Sequence, residues 1–379
     1  MFIIHIGKHK TGSSSIQQFL ATNADKLQQF DIIYPQIARQ KKAHHNLVRQ
    51  LKGDRRFGPV LGGWDEIRAL AEKKHSRIVL SSEGFETLKE HQIRELKQRV
   101  GGVETTIVIY MRQLSSLLPS RYNQLTKKGI NTDDFDQFYG LYGPPSGFNL
   151  MHRIQRWGDE FGWENVRIRL LDARHLTGGT LIDDFLSVLG VSLADVGGPG
   201  AKELFQNVSL GWKPIEVLRA LFSCLRQYVD SDPDNPSRIR RDTASLVRAV
   251  CLETLSALKL DTERTPYLSA GQYKECDDVW ATELGKLNEV IVGPKLPLPD
   301  AARPPVERPF FPTIQRIPRE ERAEIAARIS TELRIDSVED RSDKDTRAGR
   351  RGEKLIRCGL GEDLRARLVK SIQLESIPG

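Results

Sequence analysis

Residues 2–20, FIIHIGKHKTGSSSIQQFL, set an apolar run, a loop of glycine, lysine and hydroxyl residues, and a helical pattern directly one after another. Few folds accommodate that order. Phe2, Ile3, Ile4 and Ile6 make the near-continuous hydrophobic run of a parallel strand buried on both faces. Ile16, Phe19 and Leu20 recur at helical spacing, and Ser13 or Ser14 stands where an N-cap belongs. Between strand and helix, Gly7 and Gly12 permit a tight path on which successive N–H groups and the positive end of the helix converge on one anion. Lys8 and Lys10 add charge, and Ser13, Ser14 and Ser15 add hydroxyl donors.

The alternation continues. A brief strand at 32–34 stops at Pro35, a helix is predicted over 66–74, and 77–82 is a buried strand with Glu83 immediately beyond it. Another helix, over 91–100, closes at Gly101-Gly102. The next strand, 105–111, ends at Arg112, and helical spacing resumes through Leu114, Leu117 and Leu118 with Ser120 on its first turns. A helix at 150–161, a strand at 166–171 and a helix at 181–189 follow. Strands and helices in this order predict an α/β fold with a central parallel sheet flanked by helices. Ligands of such sheets sit beyond the carboxyl ends of the strands, so Glu83 and Arg112 would share a crevice with the Lys10 loop. A carboxylate at Glu83 also suits a helix start, where the dipole favours it. Lys41 and Lys42 lead into His44-His45, a basic loop that either faces the cleft or is a solvated surface pair.

Helical patterns at 212–228 and 242–258 predict a helical layer added to the sheet. Trp157, Trp163 and Trp212 are each either a stacking surface for a base or core scaffold. Prolines crowd 292–318, which reads as an extended linker. The predicted organisation is an α/β domain over 1–291, a linker over 292–318 and a charged, partly helical extension over 319–379. Within the extension, 320–333 and 355–374 are helical patterns, and 336–354 is charged and predicted mobile.

The spacing of Gly7 and Gly12 matches a P-loop, but Ser13 stands where that loop needs its lysine. The order Lys10-Thr11-Gly12-Ser13-Ser14 resembles the 5′-phosphosulfate loop of the sulfotransferases that use PAPS (3′-phosphoadenosine 5′-phosphosulfate). Arg112 after a strand, with Ser120 eight residues on, resembles the 3′-phosphate motif of the same family. The YPQ after the second strand, the HH segment, the strand ending SSE and the SRYNQ run resemble its bacterial branch, over residues 2–189. Weaker support comes from Asn207-Val208-Ser209-Leu210. The resemblance implies a P-loop-like sulfotransferase fold and sulfuryl transfer from PAPS to a hydroxyl or amine. It implies that Lys10 neutralises the leaving phosphate, that the backbone of Thr11, Gly12, Ser13 and Ser14 with Lys8 nearby holds the 5′-phosphate, and that Arg112 and Ser120 hold the 3′-phosphate. Glu83 is the first choice for the base, and His44 or His45 the second. The acceptor, by family analogy a carbohydrate or other small hydroxylated molecule, is not legible, nor is the oligomeric state. The competing readings are a P-loop kinase or NTPase and a non-catalytic binder of nucleotides or polyanions.

Composition limits the alternatives. A net charge of +7 favours anionic ligands, yet no zinc-finger spacing or RNP-like motif accompanies it, so nucleic acid is not expected. No run has the length of a membrane helix, and His5 and Lys8 interrupt the apolar start, so a cytoplasmic location is expected. Cys224, Cys251, Cys276 and Cys358 stand far apart, without metal-ligand spacing, and read as reduced thiols; no metal is expected.

Overall fold

A computed structural model describes residues 1–7, 11–73, 76–197, 210–230, 236–258, 267–298, 313–335 and 362–373. Lys8, Lys10, Cys358, the Asn207–Ser209 run, the stretch 336–354 and much of the proline-rich segment therefore lie outside the described residues.

The strands are β1 (Phe2–Ile6), β2 (Ile32–Ile33), β3 (Arg77–Ser82), β4 (Thr105–Met111) and β5 (Val166–Leu170). They form one sheet in the order β2-β3-β1-β4-β5, every pairing parallel. The parallel α/β architecture expected from the alternation is thus the one observed. Every residue of β1 and of β4 is buried, as strands covered on both faces require.

The helices are α1 (Ser13–Thr22), α2 (Ala24–Gln28), α3 (His45–Leu51), α4 (Trp64–Lys73), α5 (Glu90–Val100), α6 (Leu114–Lys127), α7 (Phe135–Tyr142), α8 (Leu150–Phe161), α9 (Leu181–Val188), α10 (Leu193–Val196), α11 (Trp212–Asp230), α12 (Pro236–Ala257), α13 (Ala270–Val290), α14 (Arg319–Ile335) and α15 (Glu362–Gln373). Strand residues alternate between the two faces of the sheet. Ile3, Val79, Val108 and Tyr110 point to a cluster completed by Ile16, Phe19 and Leu20 of α1 and Leu181, Phe185 and Leu186 of α9. On the other side α4, α5 and α8 pack in a row, and α8 meets β4 and β5. Each fully buried Ile, Leu or Phe contributes about 1.5 to 3 kcal/mol to this core.

The chain separates into two compact units. The first holds 1–117, 147–208 and 274–303; the second holds 118–146, 209–273 and 304–379. The first contains the sheet. In the second, the described regular structure is helical, with α11 packing on α12 and α15, and α14 on α15. Its interior holds Tyr122, whose hydroxyl donates to Glu216 Oε1 at 2.9 Å, while Arg219 Nε donates to Glu216 Oε2 at 2.8 Å. Cys224 and Cys251 of this unit and Cys276 of the first are buried thiols. No helix among the described residues is long and apolar enough to cross a membrane.

Candidate functional site

The sheet order determines where a ligand site can form. From β1 the chain leaves toward β2 on one side, and from β4 it leaves toward β5 on the other. The crevice between those diverging connections, outside the carboxyl ends of β1 and β4, is the place where parallel sheets bind ligands. Gly7 follows β1, Arg112 follows β4, and Glu83 follows β3, the other neighbour of β1.

Gly7 marks the closest approach. Its N–H donates to Ser82 O at 3.2 Å, extending the β1–β3 ladder by one rung. A Cβ on Gly7 would stand 2.8 Å from Ser13 Oγ and 3.1 Å from Glu83 Cγ. Gly7, the start of α1 and the stem of Glu83 therefore approach one another closely, and a side chain at position 7 would push them apart. Thr11 and Ser13 are buried, Ser14 is exposed, and Ser15 is intermediate.

The cap of α1 differs from the serine expected. Gly12 takes the N-cap position in the left-handed region, at φ 79°, and Ser13 and Ser14 become the first two helical residues. A left-handed cap suits glycine because it lacks the Cβ that other residues would crowd against the backbone. Here a Cβ would also strike the Leu181 side chain of α9. Gly12→Ala should consequently destabilise the fold by about 1 to 2 kcal/mol from backbone conformation alone. Urea unfolding reads this directly; an unchanged midpoint would mean that the loop relaxes into another path.

The two adjacent histidines have separate roles. His44 is fully buried; its Nε2–H donates to Pro35 O at 3.0 Å, and its Nδ1 accepts from Ser81 N–H at 3.2 Å. Burial pushes its pKa down to about 4. A ring with both nitrogens occupied and no solvent access is a structural element, which corrects the reading of His44 as a candidate base. His45 opens α3, correcting the expected loop, and pairs through Nδ1 with Ser82 Oγ at 2.8 Å. Its pKa lies below the ordinary 6.5, chiefly through burial, with Glu83 opposing and Arg49 adding to the shift. His45 is accordingly neutral at neutral pH and close enough to Glu83 to feel its charge.

Beneath the site, His5 Nδ1 lies 2.8 Å from Ser81 Oγ, which also accepts from Gln17 Nε2 at 3.2 Å. This ties β1, β3 and α1 together inside the core. His5 is fully buried, its Nε2 finds no hydrogen-bond partner among the described residues, and burial lowers its pKa to about 3.

Arg112 lines a cleft of about 390 Å³ at the carboxyl ends of β4 and β5. Gln113, Ser116, Arg174, His175 and Trp280 share its walls. Asp172 holds Arg174 in a 2.6 Å ion pair, and Gln113 donates to Asp277 Oδ1 at 2.8 Å. Desolvation works against the Arg112 charge and lowers its pKa, which makes the cleft receptive to an anion. Sequence reading missed Arg174, His175 and Trp280 because 174–175 lie past the predicted strand and 280 sits on a helix not foreseen. Ser120 lies on α6 in the second unit. Of the tryptophans, Trp157 and Trp212 are buried, and Trp163 packs on Gly158.

No family model matches the chain, and no solved structure does. An uncharacterized protein of Archaeoglobus fulgidus is 26% identical over 148 residues. The match spans 38% of this chain and 38% of that protein.

Proposed function

We propose that this chain is a sulfotransferase that moves a sulfuryl group from PAPS to a hydroxyl of an acceptor. The observation that supports it best is the contact among Gly7, Ser13 and Glu83 at adjacent strand ends, with Arg112 one strand away in a cleft. An anion-binding turn, a candidate base and a cationic cleft are the three parts that in-line transfer from an anionic donor requires. The residues fit such a donor: the glycine at position 7 lets the end of β1 close on Ser13 and Glu83, and Arg112 faces a cleft large enough for part of a nucleotide.

In this reading the acceptor oxygen attacks sulfur, the bond from sulfur to the 5′-phosphate oxygen breaks, and Glu83 takes the acceptor's proton. Adenosine 3′,5′-bisphosphate leaves. The backbone from Thr11 to Ser14 and the positive end of α1 hold the 5′-phosphate, and Lys10 is assigned the growing charge on the leaving oxygen. His45 orients the region through Ser82. Recognition of the 3′-phosphate is assigned to Arg112. A P-loop kinase reading is disfavoured by Ser13, which stands at the position of the lysine that chemistry requires.

The test is calorimetry without added metal. Adenosine 3′,5′-bisphosphate should bind at least tenfold more tightly than adenosine 5′-phosphate, a charge-assisted contact to arginine contributing about 1.5 to 3 kcal/mol. ATP with magnesium should not compete. Equal affinity for the two nucleotides would withdraw the role given to Arg112, and preference for ATP would replace the reading.

A further inference from the structure

Cations surround the short helical turn Glu83–Thr87 on two sides. Arg49 of α3 and Lys52, the residue that caps its C-terminal end, stand three apart on one side of that helix, with the neutral His45 one turn before Arg49. Lys52 Nζ donates to Thr87 Oγ1 at 2.5 Å, and Arg49 is close enough to His45 to lower its pKa. From α8, Arg156 Nη2 donates to Glu86 O at 2.6 Å, and Arg153 Nη1 lies 3.7 Å from Glu86 Oε1. Both Lys52 and Arg156 have lowered pKa values, burial first and neighbouring arginines adding to it. Residues 39–56 carry one carboxylate, Asp54, among seven lysines and arginines, and Asp54 is already paired with Arg56 at 2.6 Å. Glu83, Glu86 and, beside Arg156, Glu90 oppose Arg49, Lys52, Arg153 and Arg156, three carboxylates against four cations.

We propose that the acceptor is an acidic hydroxylated chain, of the kind in which uronic acids alternate with other sugars, held by Arg49, Lys52, Arg153 and Arg156 with a hydroxyl at Glu83. The inference rests on the sulfuryl-transfer reading of Glu83. Cations on either side of the Glu83–Thr87 turn match a ligand with several spaced anionic groups and a reactive hydroxyl between them. A single small anion would engage only one side. Single-stranded nucleic acid fits less well, since it is gripped by stacking on exposed aromatic side chains; among the described residues of this unit, none of the exposed large hydrophobics is aromatic.

Binding is measured with saturating adenosine 3′,5′-bisphosphate present, using a hexasaccharide of alternating glucuronate and N-acetylglucosamine, a neutral maltohexaose, and a single-stranded oligonucleotide. The acidic hexasaccharide should bind, lose affinity steeply as salt rises, and bind the double variant Arg49→Gln/Lys52→Gln about tenfold more weakly, as two partly exposed ionic contacts imply. Nucleotide affinity of that variant should be unchanged, which shows that it is folded. Equal binding of maltohexaose, an undiminished affinity in the variant, or tighter binding of the oligonucleotide would overturn the proposal. Nucleotide binding without hexasaccharide binding would sink the acceptor assignment and leave the transfer reading standing. Hexasaccharide binding by a protein that ignores the nucleotide would refute both, making the cationic ring a binding surface without transfer.

Discussion

Glu83→Gln is expected to lower single-turnover transfer by about a hundredfold or more, the usual contribution of a positioned general base. Nucleotide affinity should barely move. Glutamine preserves the stem that packs against Gly7, so the loop keeps its shape and only the proton acceptor is lost. Rates with PAPS and titrations with adenosine 3′,5′-bisphosphate on the same sample separate the two effects. A drop in affinity matching the drop in rate would mark Glu83 as part of the nucleotide cradle. Full activity would pass the role to His45, whose neutral ring lies within the influence of the same carboxylate.

Acid should destabilise the fold well before its carboxylates titrate. His5 and His44 are fully buried, with folded-state pKa values of about 3 and about 4 against 6.5 in the unfolded chain. Above pH ~6.5 both are neutral whether folded or not, and their contribution is complete. As pH falls below that value the unfolded chain takes up protons the folded one refuses, and stability is lost until the folded pKa values are reached. By pH ~5 each histidine should have removed roughly 2 kcal/mol, a large part of the 5 to 15 kcal/mol typical of a domain. Urea midpoints between pH ~7 and ~5 measure it. His44→Asn should be less stable at neutral pH but show a shallower decline. A flat profile for the native protein over that window would mean that the two rings take up protons in the folded state as readily as in the unfolded one.

The sheet was legible because β1, β3 and β4 each carry an apolar run, and β3 and β4 are each followed at once by a charged residue, Glu83 and Arg112. The serine cap was misread for a physical reason. Capping preference assumes an extended N-cap residue, whereas this loop enters α1 through a left-handed glycine. His44 and His45 could not be told apart by type; what separates them is that one precedes α3 and faces Pro35 and Ser81, while the other begins it and meets Ser82. Reading 45–51 as a helix capped by Lys52 would have brought His45, Arg49 and Lys52 to one side. Trp280 and Arg174 reach the Arg112 cleft from segments distant in sequence, and no local pattern encodes that meeting.

Ser81 and Ser82 are chemically identical neighbours, yet the pleat of β3 sends one inward to His5 and Gln17 and the other to His45. The distinction between scaffold and site is therefore carried by strand phase rather than by residue type. A deletion of one residue within β3 would preserve composition and apolar character almost unchanged, yet turn the scaffold hydroxyl toward the crevice and the site hydroxyl into the core. Length in this strand is under tighter constraint than identity: substitutions here can be graded, whereas an insertion or deletion exchanges the two roles at once.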